Sequence, residues 1–178
     1  MRPAGLAAAV LLLGACSGEP GANDDRTLPS QVVEGFVLHE NASGARLYTL
    51  SAETAYVHEV EGVVDVAAPV VLFYDELGEV YATLVAERGT VNSNTDDLVA
   101  RGSVVVRTED STLLRTDSLA WNNTVRQVRT DAAVEVETPN GRVAGTGLVS
   151  DAALSNIQIL SEVTGSSDYR FDAVPDSR

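Results

Sequence analysis

The chain has no lysine, one cysteine, one tryptophan and two histidines among its 178 residues, and each scarcity closes off a class of chemistry. A lone cysteine, Cys16, leaves no intrachain disulfide to form, so stability must come from packing and backbone pairing. His39 and His58 stand in no spacing with Cys, Asp or Glu that builds a metal site, and both are expected at the surface. No glycine-rich phosphate loop and no G-x-S-x-G nucleophile elbow occurs. Every one of the 12 basic residues is arginine, against 26 acidic ones, giving a formal net charge of −14. Such a surface repels polyanions, which argues against nucleic acid as a partner; its plainest role is solubility.

Long apolar runs are scarce as well, and the one of note lies at the N-terminus. Met1-Arg2 is a short basic segment, and residues 6–13 form an apolar stretch of signal-peptide rather than membrane-spanning length. The stretch ends at Leu13-Gly14-Ala15-Cys16, which resembles the bacterial lipobox, where a lipoprotein signal peptidase cleaves and the thiol carries a diacylglyceryl group. The alternative is an ordinary secretory signal cut near Ala15. On the lipobox reading residues 1–15 are a lipoprotein signal peptide, and the mature chain starts at a lipidated Cys16. Its acyl chains tether it to a membrane at about 0.8 kcal/mol per buried methylene. Residues 17–30 are rich in Gly, Pro, Ser and Asp with almost nothing to bury, so they read as a flexible tether spanning roughly 20 Å. A domain over residues 31–170 and a tail over 171–178 are expected to follow.

From Gln31 onward, short runs of Val, Thr, Tyr and Leu alternate with clusters of Asn, Asp, Ser and Gly, the pattern of strands and turns. One apolar pattern then recurs. Leu84, Ala86, Gly89, Val91, Leu98, Ala100, Gly102, Val104 and Val106 fall in register with Leu114, Thr116, Leu119, Trp121, Val128, Thr130, Ala132, Val134 and Val136, thirty residues later. A third copy carries Val143, Gly145, Leu148, Ser150, Ile157, Ile159, Ser161, Val163 and Gly165. A fainter one upstream carries Leu50, Ala52, Ala55, Val57, Val64, Val66, Ala68, Val70 and Leu72. Units this small cannot bury an apolar face alone, so the copies are expected to stack around a shared core. In each unit the two-residue step becomes three at one place: Ala52 to Ala55, Ala86 to Gly89, Thr116 to Leu119, Gly145 to Leu148. Such a step lets a strand bend while its apolar side stays inward, and it puts Glu53, Glu87, Asp117 and Thr146 outside the corner. The expected architecture is all-β: a sheet bent at one column in each of about four repeats, giving a two-sided roll.

The columns are also the candidate site. They either close on one another as a dry core or line a groove for acyl chains, and the pattern alone leaves both open. The groove candidates are Leu72, Leu84, Val91, Leu98, Val104, Val106, Leu119, Trp121, Val128, Val134, Val136, Leu148, Ile157 and Ile159. Paired carboxylates such as Asp96-Asp97 and Glu109-Asp110 fall in turns and read as solvated rather than as acid/base pairs. A polysaccharide-acting enzyme would want Asp or Arg stacked in one column. The arginines from Arg88 to Arg142 change column from copy to copy, so that reading is the weakest. A membrane-tethered structural or adhesive β-module with a dry interior is the stronger alternative to lipid binding.

Several segments together resemble the LptC family of lipopolysaccharide export proteins: Gln31-Val-Val-Glu-Gly-Phe36, Pro69-Val-Val-Leu-Phe-Tyr-Asp75, Leu84-Val-Ala-Glu-Arg-Gly89, Ala100-Arg-Gly-Ser-Val-Val-Val106, Leu114-Arg-Thr-Asp-Ser-Leu-Ala-Trp-Asn122, Val128-Arg-Thr-Asp-Ala-Ala-Val134 and Gly145-Thr-Gly-Leu-Val-Ser-Asp151. The periplasmic bridge protein LptA and the N-terminal domain of LptD share the repeat. The resemblance implies an open, twisted β-jelly roll of the OstA/LptA-like kind. It implies a periplasmic protein that takes lipopolysaccharide from an inner-membrane ABC transporter and passes it to an LptA-like partner, with no cofactor, metal or catalytic residue. By the same resemblance the N-terminal edge, with Val32, Val33, Phe36 and Leu38, meets the transporter's permease subunits. The C-terminal edge, with Leu154, Ile157, Ile159 and Val163, extends the sheet into the LptA-like protein. One departure is the lipobox in place of the membrane helix usual in the family. The resemblance favours the inner membrane for the anchor, while Ser17 after the cysteine leaves the outer membrane open.

Overall fold

The computed structural model describes residues 28–42 and 44–167. Cys16, the signal segment, residues 17–27 and the tail from 168 lie outside the described residues. Eleven strands follow in order: β1 (Gln31–Ala42), β2 (Ala45–His58), β3 (Val63–Ala67), β4 (Val70–Tyr74), β5 (Val80–Val85), β6 (Arg88–Asn92), β7 (Leu98–Thr108), β8 (Leu113–Asn122), β9 (Gln127–Thr138), β10 (Gly141–Asp151) and β11 (Gln158–Ser167). All pair antiparallel in one sheet, and no helix occurs among the described residues.

The topology is a meander. β3 and β4 are two halves of one line laid against β2, since Thr54 opposes Ala67 and Ser51 opposes Val70 without loss of register. β6 and β5 continue in the same way, with Ala67 opposite Arg88 and Val70 opposite Val85. The interruptions at Ala68-Pro69 and Ala86-Glu87 therefore lie side by side. Backbone bonds stitch them: Ala68 N donates to Glu87 O at 2.9 Å, and Glu87 N to Gly102 O at 3.0 Å. In later strands the same line appears as register slips, between Arg101 and Val104, between Thr116 and Ala120, and between Thr146 and Leu148.

Left-handed backbone marks this line. Gly35, Ala68, Gly102, Ser103, Gly147 and Glu162 all have φ between +47° and +79°. A residue in that conformation turns the strand sharply and breaks the alternation, which a corner requires. The sheet folds along the line into two leaves, one holding β3 and β6, the other β4 and β5, and the longer strands run through both. Contacts between the leaves prove the fold: the Phe73 ring of one lies 5.3 Å, centroid to centroid, from Trp121 of the other. At the lip, Tyr48 Oη donates to the Asp96 carbonyl at 3.2 Å.

The expected bend column is where the structure bends. Glu53, Glu87 and Asp117 are exposed beside it, while Thr146 is half-buried and donates to Glu162 at 2.8 Å. Turns stand where Asn, Asp and Gly cluster. One at 59–62 has no such cluster, only Gly62; there Gly62 N donates to His58 O and Gly62 O accepts from Ser93 N. His58 is in consequence 7% exposed, with Nε2 3.6 Å from Asp65 Oδ2, and not at the surface as expected; His39 is exposed.

Candidate interior groove

The inner faces of the two leaves form one apolar interior running across the strands from β1 to β11. Leu84, Val91, Leu98, Val104, Val106, Leu119, Trp121, Val128, Val134, Val136 and Leu148 all point into it and are between 0 and 7% exposed. Leu72 does not. It faces outward, and its neighbours Val71 and Phe73 are the buried pair. The cause is Ala68, whose φ of +48° ahead of Pro69 flips the alternation, so Val66 is followed inward by Pro69, Val71 and Phe73 rather than by Ala68, Val70 and Leu72.

The middle of the interior is filled. Tyr48, Phe73 and Trp121 form a chain of tilted rings, 6.1 and 5.3 Å between centroids, and Leu50, Leu114 and Leu119 close around them. The space left between the leaves at this point is about 20 Å³, enough for one water molecule. Two polar atoms of the interior have no partner among the described residues, Trp121 Nε1 beside this space and Ser150 Oγ two strands away on β10. Tyr48 and Phe73 are the large interior residues the sequence reading missed. Tyr48 extends the alternation of Leu50 and Ala52 by one step, whereas Phe73 is hidden by the flip at Ala68.

The interior opens at its two ends. Val33, Phe36 and Leu38 on β1 are half-buried and pack on the core from one edge; Ile157 and Ile159 do so from the other. Each end is also a sheet edge among the described residues, where β1 pairs only with β2 and β11 only with β10. Val32 and Val163, 58% and 59% exposed, stand on these edges. Leu154 is not an edge residue: it sits in the turn before β11 with φ +55° and is 5% exposed within the core.

The remaining polar groups serve the fold. Asp110 accepts from Thr112 N and Thr112 Oγ1 at 3.1 and 3.2 Å and from the Thr108 hydroxyl; these bonds, that of Thr108 foremost, hold its carboxyl below the usual range. Arg142 and Arg115 converge on Glu135 on the outer face, and the Arg142 bond is the main reason the Glu135 carboxyl is held low. Among the described residues no group of His, Cys, Asp and Glu is placed to hold a metal ion.

The family model described as lipopolysaccharide-assembly, LptC-related matches residues 6–168. No curated protein matches the chain significantly. Among solved structures, the chain is similar to LptH, the LptA homologous periplasmic component of the conserved lipopolysaccharide transport device from Pseudomonas aeruginosa. The two are 12% identical with a TM-score of 0.51, over 67% of this chain and 93% of that one. At that identity the likeness carries the fold, which is the two-sided roll expected from the columns and the open β-jelly roll that the resemblance implies.

Proposed function

Because the chain belongs to the LptC-related family of lipopolysaccharide-assembly proteins, we propose that it is a periplasmic lipopolysaccharide-binding relay held at a membrane by a lipid on Cys16. It receives the glycolipid from the permease subunits of an inner-membrane ABC transporter at the β1 edge. It delivers it to an LptA-like protein at the β11 edge, where backbone groups left unpaired can take up a further strand. The energy comes from ATP hydrolysed elsewhere, and this chain binds and passes on.

The observation that carries the reading is the nature of the contact between the leaves. Along the interior they meet through apolar side chains, and the described hydrogen bond between them is the one from Tyr48 to Asp96. Parting them exchanges apolar contacts for apolar contacts once acyl chains enter, while the ladders within each leaf stay whole. The half-buried residues at the ends, Phe36 and Leu38 on one side and Ile157 and Ile159 on the other, give an acyl chain its first footing.

A photoreactive side chain at Val104, Val134 or Trp121 is expected to cross-link lipopolysaccharide in cells, and one at Asp110 or the outward Leu72 is not. Equal labelling at inner and outer positions would sink the relay. The filled middle, with its 20 Å³ of space, favours a second reading, a membrane-tethered structural module with a permanently dry interior. Purification free of bound lipid, together with normal lipopolysaccharide export after depletion, would select it.

A further inference from the structure

Buried polar side chains almost always find a hydrogen-bond partner, and in this chain most do. Thr116 Oγ1 donates to Ala133 O at 2.9 Å, Thr130 Oγ1 accepts from Ala132 N at 3.0 Å, and Thr108 and Thr112 bond to Asp110 in the turn between β7 and β8. Two side chains on the inner face depart from this among the described residues. Trp121 Nε1 and Ser150 Oγ are buried without a partner, on residues 6% and 3% exposed. A third such atom, Asn123 Oδ1, lies in the turn just beyond β8.

The two stand in one row. Trp121 opposes Val128 on β9, and Val128 opposes Ser150 on β10, so the pair flanks Val128; at about 4.8 Å per strand they are about 10 Å apart. Each is the last residue but one of its strand, at the lip and away from the bend. The next inward residues toward the bend are Leu119 and Leu148, 2% and 0% exposed. On these strands the inner face is therefore polar at the lip and apolar beneath it. That is the order of an amphiphile whose head stands at the lip and whose chain points to the bend.

An indole N–H only donates, so what fits it is an oxygen that accepts; a serine hydroxyl takes either role. Water is a poor occupant. The space of about 20 Å³ beside Trp121 admits one molecule, but the inward side chains around it are apolar, and Thr90, which borders it, turns its hydroxyl to Asp65 on the outer face at 2.7 Å. A buried water needs two to four polar partners. A fatty-acid carboxylate would bring an unpaired charge into the same place, at greater cost. A neutral carbonyl or hydroxyl supplies the acceptor without the charge. We propose that Trp121 and Ser150 bind the neutral oxygens where an acyl chain joins its head group, the ester or amide carbonyl and any hydroxyl beside it, and so select acylated lipids over plain alkyl amphiphiles. This rests on the relay reading, since the leaves must part for a chain to enter. Bonds made only in the loaded form also favour that form over the closed one.

The test is NMR on the full chain in alkyl maltoside micelles, whose chains carry no carbonyl and set the baseline. The probes are glucosamine N-acylated with one saturated chain and glucose bearing a chain of the same length as an alkyl glycoside. Forms spin-labelled at the chain end broaden the Leu119 and Leu148 methyl signals on entering between the leaves, whatever the linkage. Both probes are expected to enter, the N-acyl one at about fivefold lower concentration, the worth of one hydrogen bond. Only the N-acyl probe should move the single indole N–H signal downfield. Trp121→Phe should abolish the preference and Ser150→Ala reduce it; where Trp121→Phe loosens the roll, the indole signal of the unaltered chain still decides. Entry of both probes with an unmoved indole signal would overturn the proposal and leave the relay standing. Entry of neither would overturn both. An indole signal already at its hydrogen-bonded position before any probe, and unchanged by it, would assign the space to a bound water and overturn the proposal.

Discussion

Tyr48 is fully buried and still keeps its hydroxyl paired, donating from one leaf to Asp96 at the lip of the other. Burial first, then the nearby charges of Glu40, Asp96 and Asp97, push its ionisation well above the ordinary tyrosine value. The unfolded chain gives up this proton near pH 10 and the folded chain holds it. The stabilisation is therefore complete below that pH and is lost as pH rises from there through the higher folded value. Denaturant titrations are expected to show stability falling above about pH 10, with Tyr48→Phe falling less steeply. At neutral pH the same substitution should cost about 1 kcal/mol, the net worth of one hydrogen bond. Its neighbour in the aromatic chain, Phe73, shows what a pattern reading loses at this scale. Leu72 and Phe73 are equally apolar, and a left-handed backbone at Ala68 decides between them, a property carried by dihedral angles and not by hydropathy.

The elements repeat one device in two forms, and they were not equally legible. On β2, β8 and β10 the inward face changes parity at the bend, with a register slip on β8 and β10, and the three-residue step in the sequence shows it. On β7 the corner is made by Gly102 and Ser103, and the inward residues go from Ala100 to Val104. Parity survives, so the alternation looks unbroken there, and at Thr130 to Val134 on β9 as well. Burial and register were legible on β2 and β8, where the corner changes parity inside an unbroken strand, but not at Ala68-Pro69, where parity also changes, nor at the 59–62 turn, where Gly62 stands without a cluster of Asn or Asp. The corner on the alternate strands became visible only in the backbone. Close approach adds a further constraint at Gly145, where a Cβ would stand 2.5 Å from Ile159 Cγ2 and 2.8 Å from Ser161 O. The second of these is backbone and cannot rotate away. Gly145→Ala is expected to cost about 1–3 kcal/mol as an overpacked contact. The loss should appear first in β11: its amides should exchange with solvent faster while those of β7 and β8 keep their protection. Uniform loss across the sheet would mean that β11 does not open separately.

At the scale of the whole molecule, the folded sheet poses a question that neither the columns nor the family could answer, whether its interior is a core or a passage. In the closed form it is a core, with Leu148, Leu114 and Tyr48 at 0% exposure and the centre sealed by aromatic rings. A passage requires the leaves to part at that seal, and Trp121, the sole tryptophan in the chain, sits in it. Its emission therefore reports on the middle of the interior and nowhere else. Glycolipid with brominated acyl chains, which quench tryptophan on contact, is expected to dim Trp121 when bound, whereas a soluble quencher should leave it nearly unaffected because Trp121 is 6% exposed. Quenching by the brominated chains places lipid between the leaves at their centre. Binding without quenching would confine the lipid to the ends, against Phe36 and Leu38 or Ile157 and Ile159. The roll would then hand its cargo over at an edge without threading it through, and the aromatic seal would remain a permanent partition between its two mouths.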